Sequence, residues 1–553
     1  CEIGSKELKF NENESLAFLK KLSPQITDSN LQYLQSKTQG WAAGMVLMVE
    51  QFSLEGTLSI FDNNIENKGV SEYLGNEILI QIDNELRNFL VQTALFIQFT
   101  ADMSQELTNC LKAKLFLDDL VTKNFLIERT TEYEPDYIFH PLFRELLLKL
   151  ATTLYSDADW LALQTKAAAI LVKQEKTDEA MFLYQQLHEW PALKKLLLNQ
   201  SDHFIKIGRH YSVKKWMEAL PAEYLEEDAW LNYWYAVALK SIDPVLTSSL
   251  MEQSYHQFIA DNDILGVYSA WQAAVDSICI SMDDYSNLNT WLTRFDDIRH
   301  NFQACPSLEL KARFYATAVQ AFSIYNPQHP CLKGLVRICE YLVQFIPIKM
   351  IQMMVHTQLA HYYALSGQIA KLKVIAPYLE LAAYDNSIPV LPRIMNTYLL
   401  GIYHQYQGEG EEALKILNTG LELSKEYSIN IFNGLIYAHI VSSHICKGDL
   451  DAAQKALQQA IKHTTPQQRM QVAYYHSNAA WVNSITGEYK LAFEHNEQAL
   501  QLTQQISVEI GYVCSLAIKV QLLLDLNEYS KAEQVFSILT RTIEKSDTYF
   551  NLV

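Results

Sequence analysis

Glycine and proline are scarce in this chain, 18 and 14 among 553 residues. Together they make up about 6%, where an average chain carries about 12%. A sandwich or barrel needs a turn signal every 8–12 residues, so the shortage excludes an all-β fold and points to long helices joined by short turns. Basic residues are also few, 44 Lys and Arg against 63 Asp and Glu, for a formal charge of −19. No basic run of 5–8 residues occurs, so no surface for non-specific phosphate neutralisation is visible. Charge-free apolar stretches of 18 residues are missing, which argues against a transmembrane helix. A basic segment followed by an apolar one is missing at the N-terminus, and with it a secretory signal. The first residue is Cys1 rather than Met, and the expectation is a fragment of a longer protein.

Chemical motifs are equally sparse. H-E-x-x-H, C-x-x-C and G-x-S-x-G do not occur. The eight cysteines are scattered, the closest pair being Cys331 and Cys339. They read as small buried hydrophobes in a reducing, cytoplasmic setting. His356 and His361, like His439 and His444, are five apart, which on a helix sets them about 140° apart around the axis and makes them poor joint ligands. Neither metal binding nor nucleophilic catalysis is expected. The dipeptide Gly-Lys never occurs, so a G-x-x-x-x-G-K-[ST] phosphate loop is excluded. The chain by itself is not expected to be an enzyme.

What is present is periodic. The turn motifs SGQIAKL, QGEGEEA, KGDLDAA, TGEYKLA and LNEYSKA place Gly367, Gly408, Gly448, Gly487 and Asn527 at spacings of 41, 40, 39 and 40. Gly or Asn tolerates the left-handed conformation that ends a helix. Five positions later come Leu372, Ala413, Ala453, Ala492 and Ala532, where the next helix can pack closely. Each unit reads as a helix hairpin that buries its face by stacking on its neighbours. The pattern resembles the tetratricopeptide repeat in a variant of about 40 residues. Near the N-terminus, Asn11 followed by Glu14 has the spacing of a capping box.

Leu86–Leu111 reads as two helices joined by a short turn, followed by a third helix ending near Asn124. A strand from Phe125 to Thr130, a second strand ending in His140 and a helix from Pro141 complete a winged-helix order. The third helix sets Lys112, Lys114 and Lys123 beside Asp118 and Asp119, so DNA contact through it is not expected. The expected fold class is all-α with a small winged-helix wing and an α-solenoid of tetratricopeptide-like hairpins.

At these residues the chain resembles the MalT-type branch of the STAND signal-transduction ATPases. The matching strings are LKFNENESLAFL (Leu8–Leu19), LQYLQSKTQGWAAGMVLM (Leu31–Met48), SEYLGNEIL (Ser71–Leu79), NFLIERT…FHPLFRELL (Asn124–Leu147) and GRHYSVKKWMEALPAEYL (Gly208–Leu225). The resemblance implies a helical switch domain at 1–82, a winged helix at 83–155, the first part of a superhelical sensor at 156–349 and tetratricopeptide-like repeats at 350–553. It implies ADP or ATP as the cofactor of the full-length protein, with no cofactor held by this fragment alone. Implied partners are a small-molecule inducer or regulatory protein and a second copy in the active state. DNA would be reached only through a LuxR-type helix-turn-helix not seen here, and no membrane is involved.

By the same resemblance, Gly40 and Trp41 stand where the family carries G-x-P, with Ala42 in place of Pro. His140 stands where the family's winged-helix histidine meets the β-phosphate of ADP. Aligning the repeats on their turns predicts a polar and aromatic concave surface of His361, Tyr398, Gln405, Tyr406, Ser442, Tyr474, Ser477, Trp481, Ser484, Gln521 and Asp525. Such amphipathic rings and hydrogen-bonding groups suit a small polar effector or a peptide. Two other readings use the same features: a helical scaffold for partner proteins with no nucleotide switch, and a STAND protein whose output is not transcription.

Overall fold

The computed structural model describes residues 10–22, isolated positions between 34 and 49, 82–123, 126–130, 135–240, 242–301 and 305–546. Ser71–Leu79, Asn124 and Phe125 lie outside the described residues. The chain divides into two compact units, Cys1–Leu196 and Leu197–Val553.

In the first unit, helix Glu12–Leu22 opens with the reciprocal capping box. The Asn11 N–H donates to Glu14 Oε2 and the Glu14 N–H to Asn11 Oδ1, both at 2.9 Å, which satisfies two donors the helix end would leave open. Helices Asn84–Thr93, Ala101–Thr108 and Ala113–Thr122 follow. Asp83 caps the first by accepting from the Leu86 N–H at 2.7 Å. Thr100 caps the second, and Asn109 ends it in the left-handed region at φ 57°.

A small antiparallel sheet completes this winged helix in the order β1-β3-β2. The strands are β1 (Gln98–Phe99), β2 (Ile127–Arg129) and β3 (Tyr137–Phe139). The two wing strands appear where expected, with Ile127 paired to Phe139 and Arg129 to Tyr137. Strand β1 was not foreseen: two residues are too few to show alternation. Its Phe99 packs on Tyr137 and Phe139, with ring centroids 6.2 and 5.1 Å away. At the two ends of the third helix, Lys123 pairs with Asp119 at 2.7 Å and Lys112 with Glu85 at 3.4 Å, and Lys114 is exposed in its first turn.

The second unit is a stack of helix hairpins. From Lys349–Leu365 through Tyr529–Ser546, antiparallel helices follow one another with the expected period. All five predicted turn residues have positive φ: Gly367 66°, Gly408 76°, Gly448 77°, Gly487 82° and Asn527 60°. Each turn closes alike. At Gly448 the Gly448 N–H donates to Ile445 O at 2.9 Å and the Asp449 N–H to His444 O at 3.0 Å, the paired bonds of a Schellman ending. Leu372, Ala413, Ala453, Ala492 and Ala532 are all buried against the preceding helices.

The same device occurs where the sequence did not announce it, at Glu175, His188 and Asn262. There it is held by Lys176 N–H to Leu171 O, Glu189 N–H to Tyr184 O and Asp263 N–H to Phe258 O.

Among the described residues one helix, Ile264–Ser281, is long and apolar enough to cross a membrane. It contributes Trp271, Val275 and Cys279 to the buried core of the second unit. Its end is unusual. Met282 adopts φ 53°, and the chain then runs through Asp283 and Asp284 into a short 3-10 turn, Tyr285–Asn287.

A β-branched residue pays about 1–2 kcal/mol for a left-handed backbone, whereas Asn takes it with little strain. Nothing lies within 4 Å of a Cβ built on Gly448, so strain alone should decide. Gly448→Asn is expected to unfold in urea close to the parent, and Gly448→Val to lose about 1–2 kcal/mol.

Candidate functional site

Two places gather the residues singled out by sequence. The first lies in the unit Cys1–Leu196. Gly40 sits at φ 80°, and its carbonyl accepts the Phe10 N–H at 3.0 Å. A Cβ there would come within 2.2 Å of Phe10 O, so only glycine allows the two backbones to meet. The turn before it presents the Thr38 carbonyl, which accepts the Trp41 N–H at 2.9 Å.

His140 Nε2 donates to the same carbonyl at 3.0 Å, and its ring meets Trp41 edge-on at 5.6 Å. Beneath them lie the buried side chains of Leu19, Leu34, Met45 and Leu142. Thus Gly40, Trp41 and His140, about a hundred residues apart in sequence, form one cluster. His140 occupies the N-cap position of helix Pro141–Leu154, yet its side chain makes no cap bond to that helix. It is 7% exposed. A neutral imidazole that donates through Nε2 has no second N–H to offer. Contact with a phosphate oxygen therefore requires a second proton on the ring or release of Thr38.

The second place lies in the unit Leu197–Val553. There the repeats curve back on helix Ile264–Ser281 and on the segment Met282–Asn287 that arches away from its end. The Met470 N–H donates to Met282 O at 3.0 Å, and the Tyr285 hydroxyl to Met470 Sδ at 3.0 Å. Arg469 pairs with Asp283 at 2.6 Å and Asp284 at 3.3 Å. Met282 is buried in the core of the later repeats, beside Phe432 and Leu435. Residues nearly 190 apart in sequence are thereby joined, and a cavity of about 70 Å³ is left at the closure. His361, Tyr398 and Tyr474 line it.

The other predicted concave residues mostly bond between repeats. Gln405 Nε2 donates to His439 O and Ser443 Oγ, both at 2.7 Å. The Tyr406 hydroxyl donates to Ala364 O at 3.1 Å, and Ser442 to Asn478 at 3.1 Å. Ser477 meets Ser515, while Asp525 accepts from Ser484 and Gln521. Trp481 packs on the cluster around Leu435. His439, which repeat alignment did not select, joins the network: its Nδ1 lies 2.9 Å from Gln405 Oε1 and its Nε2 3.4 Å from the Tyr398 hydroxyl. Its signal was absent because only the fold brings Gln405 and Tyr398 to one imidazole.

Residues 75–159 match the family described as the MalT winged helix domain. This part of the chain is a MalT-type winged helix. The likeness extends well beyond it. The HTH-type transcriptional regulator MalT of Yersinia pestis (strain Pestoides F) is 21% identical over 500 residues, covering 84% of this chain and 52% of that protein. The same regulator of Yersinia enterocolitica is 23% identical over 501 residues, with the same coverage. The chain thus spans about half the length of the MalT relatives it matches. A solved STAND protein with a tetratricopeptide repeat sensor from Pyrococcus horikoshii aligns with 98% of this chain and 74% of its own. The identity over that alignment is 12% and the TM-score 0.36. The resemblance to MalT-type regulators read from the motifs stands. The matched span begins before the wing's first helix and ends in helix Asp157–Lys173.

Burial holds the His439 and His361 imidazoles neutral, down to about 4 from an ordinary value near 6.5. In the unfolded chain they protonate near 6.5, so stability is complete above that pH and is lost as pH falls towards 4. The melting temperature is expected to drop across this window. His439→Gln should flatten part of the drop, and an unchanged pH profile would contradict the buried neutral network.

Proposed function

We propose that this chain is the sensor and regulatory part of a MalT-like transcription regulator of the STAND type. In this reading the superhelix takes an effector, and the cluster around His140 couples it to an ADP/ATP switch in a longer protein. The observation that carries the reading is the convergence of Gly40, Trp41 and His140 around the Thr38 carbonyl, within a chain that resembles MalT over 84% of its length.

This chain supplies one imidazole to a bound nucleotide, and the phosphate loop comes from elsewhere. The donor set fits a phosphate oxygen only when His140 is doubly protonated or has left Thr38. His140 can then exchange a backbone carbonyl for a phosphate oxygen, and the two partners define two arrangements of the winged helix and the segment around Gly40. A switch moves only if a ligand binds one arrangement more tightly than the other; a change from 1:99 to 99:1 needs about 5.5 kcal/mol. The effector must supply that difference from the superhelix. Output is transcription through a separate DNA-binding part, in a cytoplasmic protein that self-associates when active. The chain's own charge of −19 suits that division of labour.

Expected outcomes follow for the longer protein that carries the phosphate loop. His140→Ala should release ADP at least tenfold faster than the parent, with an unchanged melting temperature for the second unit. Unchanged retention would remove His140 from the nucleotide site. Gly40→Ala should do the same while also lowering the stability of the first unit by about 2 kcal/mol, from backbone strain and the clash with Phe10.

A further inference from the structure

We infer that the closure cavity of the second unit is a binding site for a small, uncharged, largely apolar molecule carrying one hydrogen-bond donor. The inference rests on the effector-sensor reading and names the ligand class of that sensor.

Three observations carry it. First, two buried polar atoms without partners line the cavity: Gln358 Oε1 and His361 Nδ1. Gln358 is 7% exposed. The two residues are three apart on helix Lys349–Leu365, so they share one face. A buried acceptor left without a donor destabilises the fold, and a donor on a ligand removes that cost.

Second, most of the remaining wall is apolar, including Ile324, Leu399, Ile402, Phe432 and Leu435; Gln320, Thr357 and three tyrosine rings add uncharged polar groups, and no Lys, Arg, Asp or Glu is among the lining residues. The His361 imidazole is itself neutral. An ionised ligand would be stripped of water with no countercharge, at prohibitive cost. A sugar would bring a hydroxyl to nearly every carbon, and a wall that is mostly apolar leaves several of them unpaired.

Third, the size is small. The resting volume of about 70 Å³ exceeds the roughly 10–15 Å³ that one water needs, yet is less than the ~150 Å³ of a cavity that takes benzene. Met282, Met395 and Met470 line it, and unbranched thioether chains repack readily around a ring.

The three methionines also provide the test. Methyl NMR of the 553-residue chain labelled at methionine Cε would be recorded with phenol, indole, toluene, benzoate and glucose as probes. Phenol or indole should shift the Met282, Met395 and Met470 signals saturably and raise the melting temperature. Toluene, which lacks the donor, should bind at least tenfold more weakly, and benzoate and glucose should leave the three signals in place. Gln358→Leu should weaken phenol about tenfold and leave toluene unaffected; because toluene still reports on the cavity, a misfolded variant is recognised.

The inference is overturned if phenol and indole move none of the three signals, or if benzoate moves them as phenol does. A high-resolution structure with fixed waters on both Gln358 and His361, and no probe density after soaking, would also overturn it. Should glucose alone bind, the apolar class is wrong while the sensor reading survives. Should phenol fill the cavity without altering ADP release from the longer protein, the site is real and the coupling reading fails.

Discussion

Everything in the larger unit depends on a helix hairpin being unable to bury its own apolar face. About 40 residues fold into two helices with a stripe each, and only a neighbouring hairpin covers what they leave exposed. The turn between the helices must therefore be sharp and repeatable. A left-handed residue with two reversed backbone bonds provides this at Gly367, Gly408, Gly448, Gly487 and Asn527. Small side chains such as Ala413 and Ala453 then let the helices close on each other. Curvature accumulates from unit to unit until the later repeats meet the arch after helix Ile264–Ser281.

That meeting gives the solenoid an inside. An open stack exposes its concave face to water, and its polar side chains are solvated. Here Met282 and Tyr285 occupy part of the space, and Arg469 with Asp283 and Asp284 holds the closure at its rim. Polar groups caught within must find each other. Gln405, His439 and Tyr398 do so, whereas Gln358 Oε1 and His361 Nδ1 do not. The cost of those unmade bonds is the physical reason to look for a ligand there.

In the smaller unit a single carbonyl has the comparable role. Thr38 O receives one donor from its own turn and one from His140, which follows β3 in the winged helix about a hundred residues later. Gly40 makes the arrangement possible because any side chain would strike Phe10. The wing is built on aromatic stacking of Phe99, Tyr137 and Phe139, and Lys112 and Lys123 at the ends of its third helix pair with Glu85 and Asp119.

Local rules were legible in the sequence wherever the backbone demanded a particular residue type. The capping box at Asn11 and Glu14, the left-handed turns at glycine and asparagine, and the winged-helix order all follow from constraints within a few residues. The same turn at Glu175 and His188 was invisible, because neither residue type announces a left-handed backbone. Strand β1 was too short to leave a pattern. The concave surface was predicted as a list of exposed faces. Only tertiary structure decided that Gln405 and Ser442 bond between repeats, that His439 joins Tyr398, and that His361 looks into a cavity. Periodicity reports which face of a helix turns inward, but the partner on that face is set by chain closure across nearly 190 residues, a distance at which no local preference operates.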